Sequence, residues 1–360
     1  MINIEKKFDG LLIIGDPHIT SYKPDKRSDE DYLTVCLDKL EQSLEIAYRE
    51  NLCPILLGDL LSKIDDYNVT ALLIKLLNKY KDKIGIPIIS NLGNHDVSKR
   101  VAYSLRKKIN NEKPDEDTDE NIFEENENGF YIPIENKSII AILKASGSLN
   151  IFNKIEDLKI NINNKDCLLK FVPYGIPIPE KIESNQFKNI MFTHHDINFG
   201  IGNQYYFSTK IFPINNCDLV INGHIHNYIP PQEVGNTIWY NPGNIIRTSI
   251  SLGDETPSVS KISLVNNQIN IERILLKYKD KKDVFNFVSN DKELEETLEN
   301  FKSKFVEKLN DDIHKNVDEL SNNNNNDLDM IMGDYFIKNK TSNYVIGIIR
   351  DLKRDVEFLD

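Results

Sequence analysis

The chain has 360 residues, of which 40% are hydrophobic and 28% charged, and its formal net charge is −12. That length supports one large domain or two ordinary ones with a full core; no apolar run reaches the roughly 18 residues of a membrane span, and Met1–Gly10 lacks the apolar stretch of a secretory signal. Cys36, Cys53, Cys167 and Cys217 have no C-x-x-C spacing, which argues against a zinc ribbon or disulfide scaffold and fits a reducing, cytoplasmic setting.

Leu11–Gly15 is a short apolar run ending in a polar loop, the pattern of a buried strand whose C-terminal end carries chemistry. A helix is predicted from about Asp29 to Glu50, where Leu33, Leu37, Leu40, Leu44 and Ala47 recur every three or four residues. Ser28 and Asp31 have the spacing of a capping box at its start. Pro54–Leu57 reads as a second buried strand, Val69–Tyr80 as a second helix and Ile86–Ser90 as a third strand. This βαβαβ order predicts a parallel sheet with short loops at the strand ends.

Residues 110–128 are too polar to offset their ordering cost and read as an exposed insertion; Glu112–Glu127 alone holds nine carboxylates against one lysine. Regular structure resumes at Ile139–Leu143, and Leu149–Val172 alternates like strands around a turn at Asn163–Asp166. Lys188–Thr193 and Asp218–Asn222 are predicted strands that stop at histidines. Thr237–Tyr240, Ser260–Val265 and Ile269–Leu276 read as consecutive antiparallel strands, the last two joined by a turn at Asn266–Gln268. The composition changes after Lys277, which places a domain boundary between 1–277 and 278–360. The second part reads as a charged helical stretch Asp291–Leu320, an asparagine linker 322–326 and an amphipathic stretch Met330–Phe358.

Six of the seven histidines lie in short segments at predicted strand ends: Gly15-Asp16-Pro17-His18, Gly93-Asn94-His95-Asp96, Thr193-His194-His195 and Gly223-His224-Ile225-His226. Asp59, in Leu57-Gly58-Asp59-Leu60, is placed the same way, and only His314 falls outside. One such histidine is usually a satisfied polar residue near the core. Six along one edge of a parallel sheet, where ligands gather, point instead to a metal centre. Two cations a few ångströms apart can clamp a phosphate and activate a water. Imidazole with carboxylate suits manganese, iron or zinc better than magnesium or calcium alone.

Asp-x-His, Gly-Asp, Gly-Asn-His-Asp, a histidine after a strand and Gly-His-x-His, in this order from Asp16 to His226, resemble the calcineurin-like metallophosphoesterases. The resemblance implies an α/β fold, a four-layer α/β/β/α sandwich, here with a helical C-terminal extension. It implies two divalent cations, Mn2+ foremost, with Fe2+, Zn2+ and Mg2+ as alternatives. Asp16, His18 and His226 would hold one cation, Asn94, His194 and His224 the other, and Asp59 would bridge them. His95 would stay outside the ligands and polarise the phosphate or protonate the leaving group. Asp96 would either orient His95 or cap the loop. Between His194 and His195 the sequence leaves the choice open; His194, first after its strand, is the expected ligand.

A narrower similarity is to the SbcD-type nuclease subunits of bacterial and bacteriophage recombination complexes. The stretch Asn241-Pro242-Gly243-Asn244-Ile245-Ile246-Arg247-Thr248 resembles their Pro-Gly-Ser loop, with Asn244 in the serine position. Leu149–Phe152 followed by Phe171-Val172-Pro173-Tyr174-Gly175 resembles their middle section. The chain departs from them at Leu60-Leu61-Ser62-Lys63, where a Phe-His pair is common, and in the acidic insertion.

This similarity implies a DNA exonuclease or endonuclease subunit of recombination, repair or replication, acting on double-stranded ends or single strands. It would work in the cytoplasm (the host's, for a bacteriophage protein), off the membrane, with a coiled-coil SbcC-type ATPase docked on the C-terminal helices and a homodimer as a possible assembly. Arg247, Asn244 and Arg100, the last beside Arg106, Lys107 and Lys108, are the expected substrate-binding residues. A loop-bracing role competes for Arg247 and a solvated helix face for the basic cluster. A chain of charge −12 needs a partner's basic surface to hold DNA. The alternative activity is that of a phosphomonoesterase or nucleotide phosphatase. A catalytically dead scaffold would have lost ligands, and no position of the motif set is lost.

Overall fold

The computed structural model describes residues 2–24, 26–62, 67–97, 124–126, 129–132, 134, 138–200, 209–249, 252 and 255–286. The chain divides into Met1–Asn286 and Phe287–Asp360, and every described residue lies in the first unit. Arg100, most of the acidic insertion, the linker 322–326 and the helices expected after Asp291 lie outside the described residues.

In chain order the strands are β1 (Ile2–Phe8), β2 (Gly10–Ile14), β3 (Leu52–Leu56), β4 (Ile88–Asn91), β5 (Glu124–Asn126), β6 (Gly129–Tyr131), β7 (Leu149–Phe152) and β8 (Glu156–Ile162). Next come β9 (Lys165–Val172), β10 (Lys188–Thr193), β11 (Ile197–Asn198), β12 (Thr209–Lys210) and β13 (Leu219–Asn222). The last are β14 (Ile229–Val234), β15 (Thr237–Asn241), β16 (Ser258–Val265) and β17 (Gln268–Leu275). Two long helices, α1 (Tyr32–Arg49) and α2 (Tyr67–Ile84), accompany the shorter Ile139–Ala145 and Lys281–Val284. No helix among the described residues is long and apolar enough to cross a membrane.

β2 and β3 are buried at every residue, so neither has a face for water and both lie mid-sheet. They belong to a six-stranded sheet in the order β17-β16-β2-β3-β4-β7, parallel from β2 to β7 and antiparallel at the β16–β17 end. A seven-stranded sheet in the order β1-β8-β9-β10-β13-β15-β14 faces it. The two are joined by a single apolar core in which Phe152 of β7, Phe171 of β9 and Phe192 of β10 stack at 4.4 and 4.9 Å. Helices α1 and α2 and Ile139–Ala145 pack on β2, β3, β4 and β7. The α/β sandwich is thus the fold: of the four α/β/β/α layers the resemblance implied, the described residues show both sheets and the helical layer on the six-stranded one.

Several local expectations change. Helix α1 starts at Tyr32, because Asp31 is its N-cap and accepts from the Thr34 amide at 3.0 Å; Ser28 is not a cap. The turns after β8 and β16 are Asn163-Asn164 and Asn266-Asn267, both pairs at positive φ, the geometry of a tight hairpin. β15 does not join β16 and β17. It runs parallel to β13 in the other sheet, which sets its loop beside the histidines. The first unit also continues past Lys277 to Asn286, tied by Ser28 N to the Val284 carbonyl at 3.0 Å and by Asn286 N to the Lys26 carbonyl at 2.8 Å.

Candidate metal centre

The C-terminal ends of β2, β3 and β4 from one sheet, and of β10, β13 and β15 from the other, meet at one place. The turns there are sharp enough that His18, Asp59 and His224 all have positive φ, at 46°, 47° and 72°. Non-glycine residues adopt that region at a cost and concentrate where a site requires it. The two motif glycines that matter most are close approaches. A Cβ on Gly15 would lie 1.8 Å from the Gly243 carbonyl oxygen, and one on Gly93 would lie 2.1 Å from Asp59 Oδ1. Only glycine lets the two loops of each pair come together.

All seven residues expected to bind metal converge. Asp16, His18 and His226 form one group and Asp59, His194 and His224 another, the donor atoms of each lying within 4.8 Å of one another. Asn94 Oδ1 joins the second group, 3.2 Å from His194 Nε2 and 2.8 Å from His224 Nδ1. Asp59 Oδ2 stands between the groups, 3.7 Å from His18 Nε2 and 3.2 Å from His194 Nε2. His18 and His226 turn their Nε2 atoms toward each other at 2.9 Å. A third group, His18, Asp59 and His95, overlaps the first two.

The electrostatics ask for positive charge. Burial pushes Asp16 up to about 6 against the attraction of His194. Burial also works to raise Asp59, but His194 and His18 override it and hold the carboxyl well below its usual range. His194 is lifted to about 10 although burial opposes it, because Asp59 and Asp16 attract its proton. Burial lowers His226 to about 4 and takes His18 well below the ordinary imidazole value, which leaves both rings neutral and able to donate a lone pair. Asp16 Oδ1 is buried and accepts no hydrogen bond, a costly state unless a cation fills it. Two carboxylates, four imidazoles and one carboxamide oxygen fit a pair of divalent cations.

Of the adjacent histidines, His194 points into the cluster and braces its Nδ1 on the Leu57 carbonyl at 3.1 Å. His195 turns away, with Nε2 2.8 Å from the Ile176 carbonyl. His95 is exposed at the rim, its Nδ1 3.3 Å from the Ser62 carbonyl and its backbone amide donating to Asp59 Oδ1 at 2.8 Å. Asp96 is a loop cap: its buried carboxylate accepts from the amides of Leu60 at 3.0 Å and Gly93 at 2.9 Å, so both oxygens serve main chain and not the His95 ring. Arg247 is buried, donates to the Lys279 carbonyl and lies 5.4 Å over the Tyr278 ring. That is the bracing geometry. Asn244 is buried beside His226, with neither amide atom hydrogen-bonded.

Three neighbours of the centre were not singled out from sequence. Asp196 Oδ1 lies 2.9 Å from His224 Nε2. Asn222 is fully buried and ties three strand ends, accepting from Thr193 Oγ1 at 2.7 Å and from His195 N at 3.0 Å, and donating to Asn241 Oδ1 at 3.3 Å. Tyr174 sets its ring against His194, His195 and His224 at 5.6–6.3 Å between centroids. The run Thr193-His194-His195-Asp196 offered one signal, a carboxylate next to a histidine pair; Asn222 offered none, since an asparagine ending a strand is ordinary.

A family profile described as calcineurin-like phosphoesterase matches residues 11–228. Among solved structures the chain is similar to a 5'-nucleotidase precursor from Thermus thermophilus, at 9% identity and a TM-score of 0.37. The alignment covers 74% of this chain and 54% of that one, so the chain spans about half the length of that protein. No curated protein matches the chain by sequence.

Proposed function

The chain belongs to the calcineurin-like phosphoesterase family, and from that premise we propose that it is a two-cation phosphodiester hydrolase of the SbcD type, cutting DNA as an exonuclease or endonuclease in recombination, repair or replication. The observation that carries the hydrolase reading is the position of Asp59 between two convergent donor groups. Asp16, His18 and His226 would hold one cation and Asn94, His194 and His224 the other, with Asp59 within reach of both donor groups. Two cations bound there, Mn2+ in first place, would supply a clamp for the phosphate and acidify a water for attack.

The protein's own part is to orient and to move a proton. The Ser62 carbonyl accepts from His95 Nδ1, so Nε2 is the nitrogen that faces the leaving oxygen, and it gives up a proton there when the ring carries one on each nitrogen. The amide of His95 on Asp59 Oδ1 fixes the distance between that ring and the centre. Asn244 supports a substrate role for the β15 loop, because its unpaired amide borders a crevice of about 10 Å³, room for about one water. The partner in this reading is an SbcC-type ATPase docked on the C-terminal region, which brings the basic DNA surface.

Net charge −12 favours one competitor, a phosphatase for small esters or nucleotides. The purified chain with Mn2+ is given end-labelled linear DNA in one reaction and a chromogenic phosphate monoester in another. Shortening of the DNA supports the nuclease. Turnover of the ester with intact DNA, in the presence and absence of the ATPase, replaces it with the phosphatase.

A further inference from the structure

We infer that Asp196 is a positioning residue for the metal centre, fixing the proton and orientation of His224 so that only Nδ1 is offered to a cation. The inference rests on the two-cation reading above. A carboxylate accepts hydrogen bonds and donates none when ionised, so Asp196 Oδ1 at 2.9 Å places a proton on His224 Nε2. The other ring nitrogen, Nδ1, then faces Asn94 Oδ1 at 2.8 Å, and that oxygen is 3.2 Å from His194 Nε2. Three donor atoms from three different strand ends thus meet on the side of His224 that Asp196 does not occupy.

Both partners are held independently. The backbone of His224 is fixed in the left-handed region at φ 72°, with its amide on Asp16 Oδ2 at 2.7 Å. The Asp196 carbonyl accepts from the Thr209 amide at 2.9 Å, which ties it to the β11–β12 ribbon. With both main chains anchored, the 2.9 Å contact removes the ring's remaining freedom, its flip about the Cβ–Cγ bond. The other imidazole facing Asn94 is held differently, by the neutral Leu57 carbonyl on His194 Nδ1. Asp196 therefore acts on one of the two cations selectively.

The test is a calorimetric Mn2+ titration of the full chain, wild type, Asp196→Ala and Asp196→Asn, with thermal midpoints recorded on the metal-free proteins. Wild type takes up two cations. In Asp196→Ala one of them binds about 10–100-fold more weakly while the other changes by less than about threefold, the usual scale for loss of such a carboxylate. Asp196→Asn, which keeps an acceptor oxygen without the charge, falls between. The midpoints stay level, since Asp196 is partly exposed and outside the core. Equal weakening of both cations with a lowered midpoint, or no weakening of either, overturns the assignment while the two-cation reading stands. A wild type that binds fewer than two cations takes down both.

Discussion

The six-stranded sheet and the seven-stranded sheet build unequal halves of the centre. The first supplies both carboxylates, Asp16 and Asp59, with His18, and all three are buried. Its loops are pinned largely through main chain: His18 N to the Asp59 carbonyl at 2.9 Å, and Asp96 onto the amides of Leu60 and Gly93. The second supplies imidazoles only, two of them partly exposed, at 21% for His224 and 32% for His226. It is braced by side chains, Asp196, Asn222 and Asn241. The first half is mostly buried and pinned by main chain; the second, apart from buried His194, is partly exposed and propped by side chains. Substitutions in the first should therefore act as switches and those in the second as adjustments.

The largest effect is expected at Asp59. Asp59→Asn removes the one anion that both donor groups share, so turnover should fall below detection and metal content should drop from both positions. Metal analysis beside the thermal midpoint checks it. Full metal content with near wild-type rate would dissolve the distinction between the halves at its strongest point.

His95 is the exposed exception in the first half. His95→Asn should keep both cations and slow the chemical step by about 10²–10⁴-fold, the usual contribution of a positioned acid. Loss of a cation would instead make the His18–Asp59–His95 group a ligand set.

How far the sequence reveals the centre follows the same division. The apolar runs of β2 and β3, with Gly-Asp and Gly-Asn-His-Asp after the strands, mark the first half because burial on both faces leaves a continuous hydrophobic signal. In the second half the strands that end at histidines, β10 and β13, are equally legible, but the edges of its sheet are not. β14 contains Pro230 and Pro231, which hide a strand from any propensity argument, and it is tolerated because it lies at the sheet edge. β1 is a polar edge strand with one buried residue, so it too lacks a strand signal. The bond from Asp196 to His224 spans residues 28 apart in the chain, and the one local signal, a carboxylate beside a histidine pair, does not identify His224 as its partner. Arg247 reads as a substrate contact because its loop adjoins the histidines, but its carbonyl acceptor, Lys279, lies beyond the last strand.

Asn222 tests the propped half by stability. It is fully buried, and Asn222→Ala would leave the Thr193 hydroxyl and the His195 amide without their acceptor. Orphaned buried groups of this kind cost about 1–3 kcal/mol, so the denaturation midpoint should fall while both cations still bind. A variant as stable as wild type would show that the seven-stranded half is not held by this side chain.

The smallest effect on catalysis is expected from removing everything after Asn286. Both halves of the centre lie in the first unit, so a chain ending at Asn286 should hydrolyse a small phosphate ester within about twofold of the full chain, as a unit with its own core would. A chain ending at Lys277 should behave differently. The segment 278–286 supplies the Lys279 carbonyl that receives buried Arg247, the Val284 carbonyl that receives Ser28 N, and the Phe285 ring 5.2 Å from the Arg27 guanidinium. Without it, buried Arg247 loses an acceptor next to the β15 loop, at a cost of about 1–3 kcal/mol, and the thermal midpoint should drop even where the histidines still bind metal. Both truncations should fail to co-purify with a coiled-coil ATPase if the C-terminal region is the docking segment. If the chain ending at Asn286 loses ester hydrolysis, the centre is not complete in the first unit. If it still binds the ATPase, docking belongs to the catalytic unit and the tail has another use.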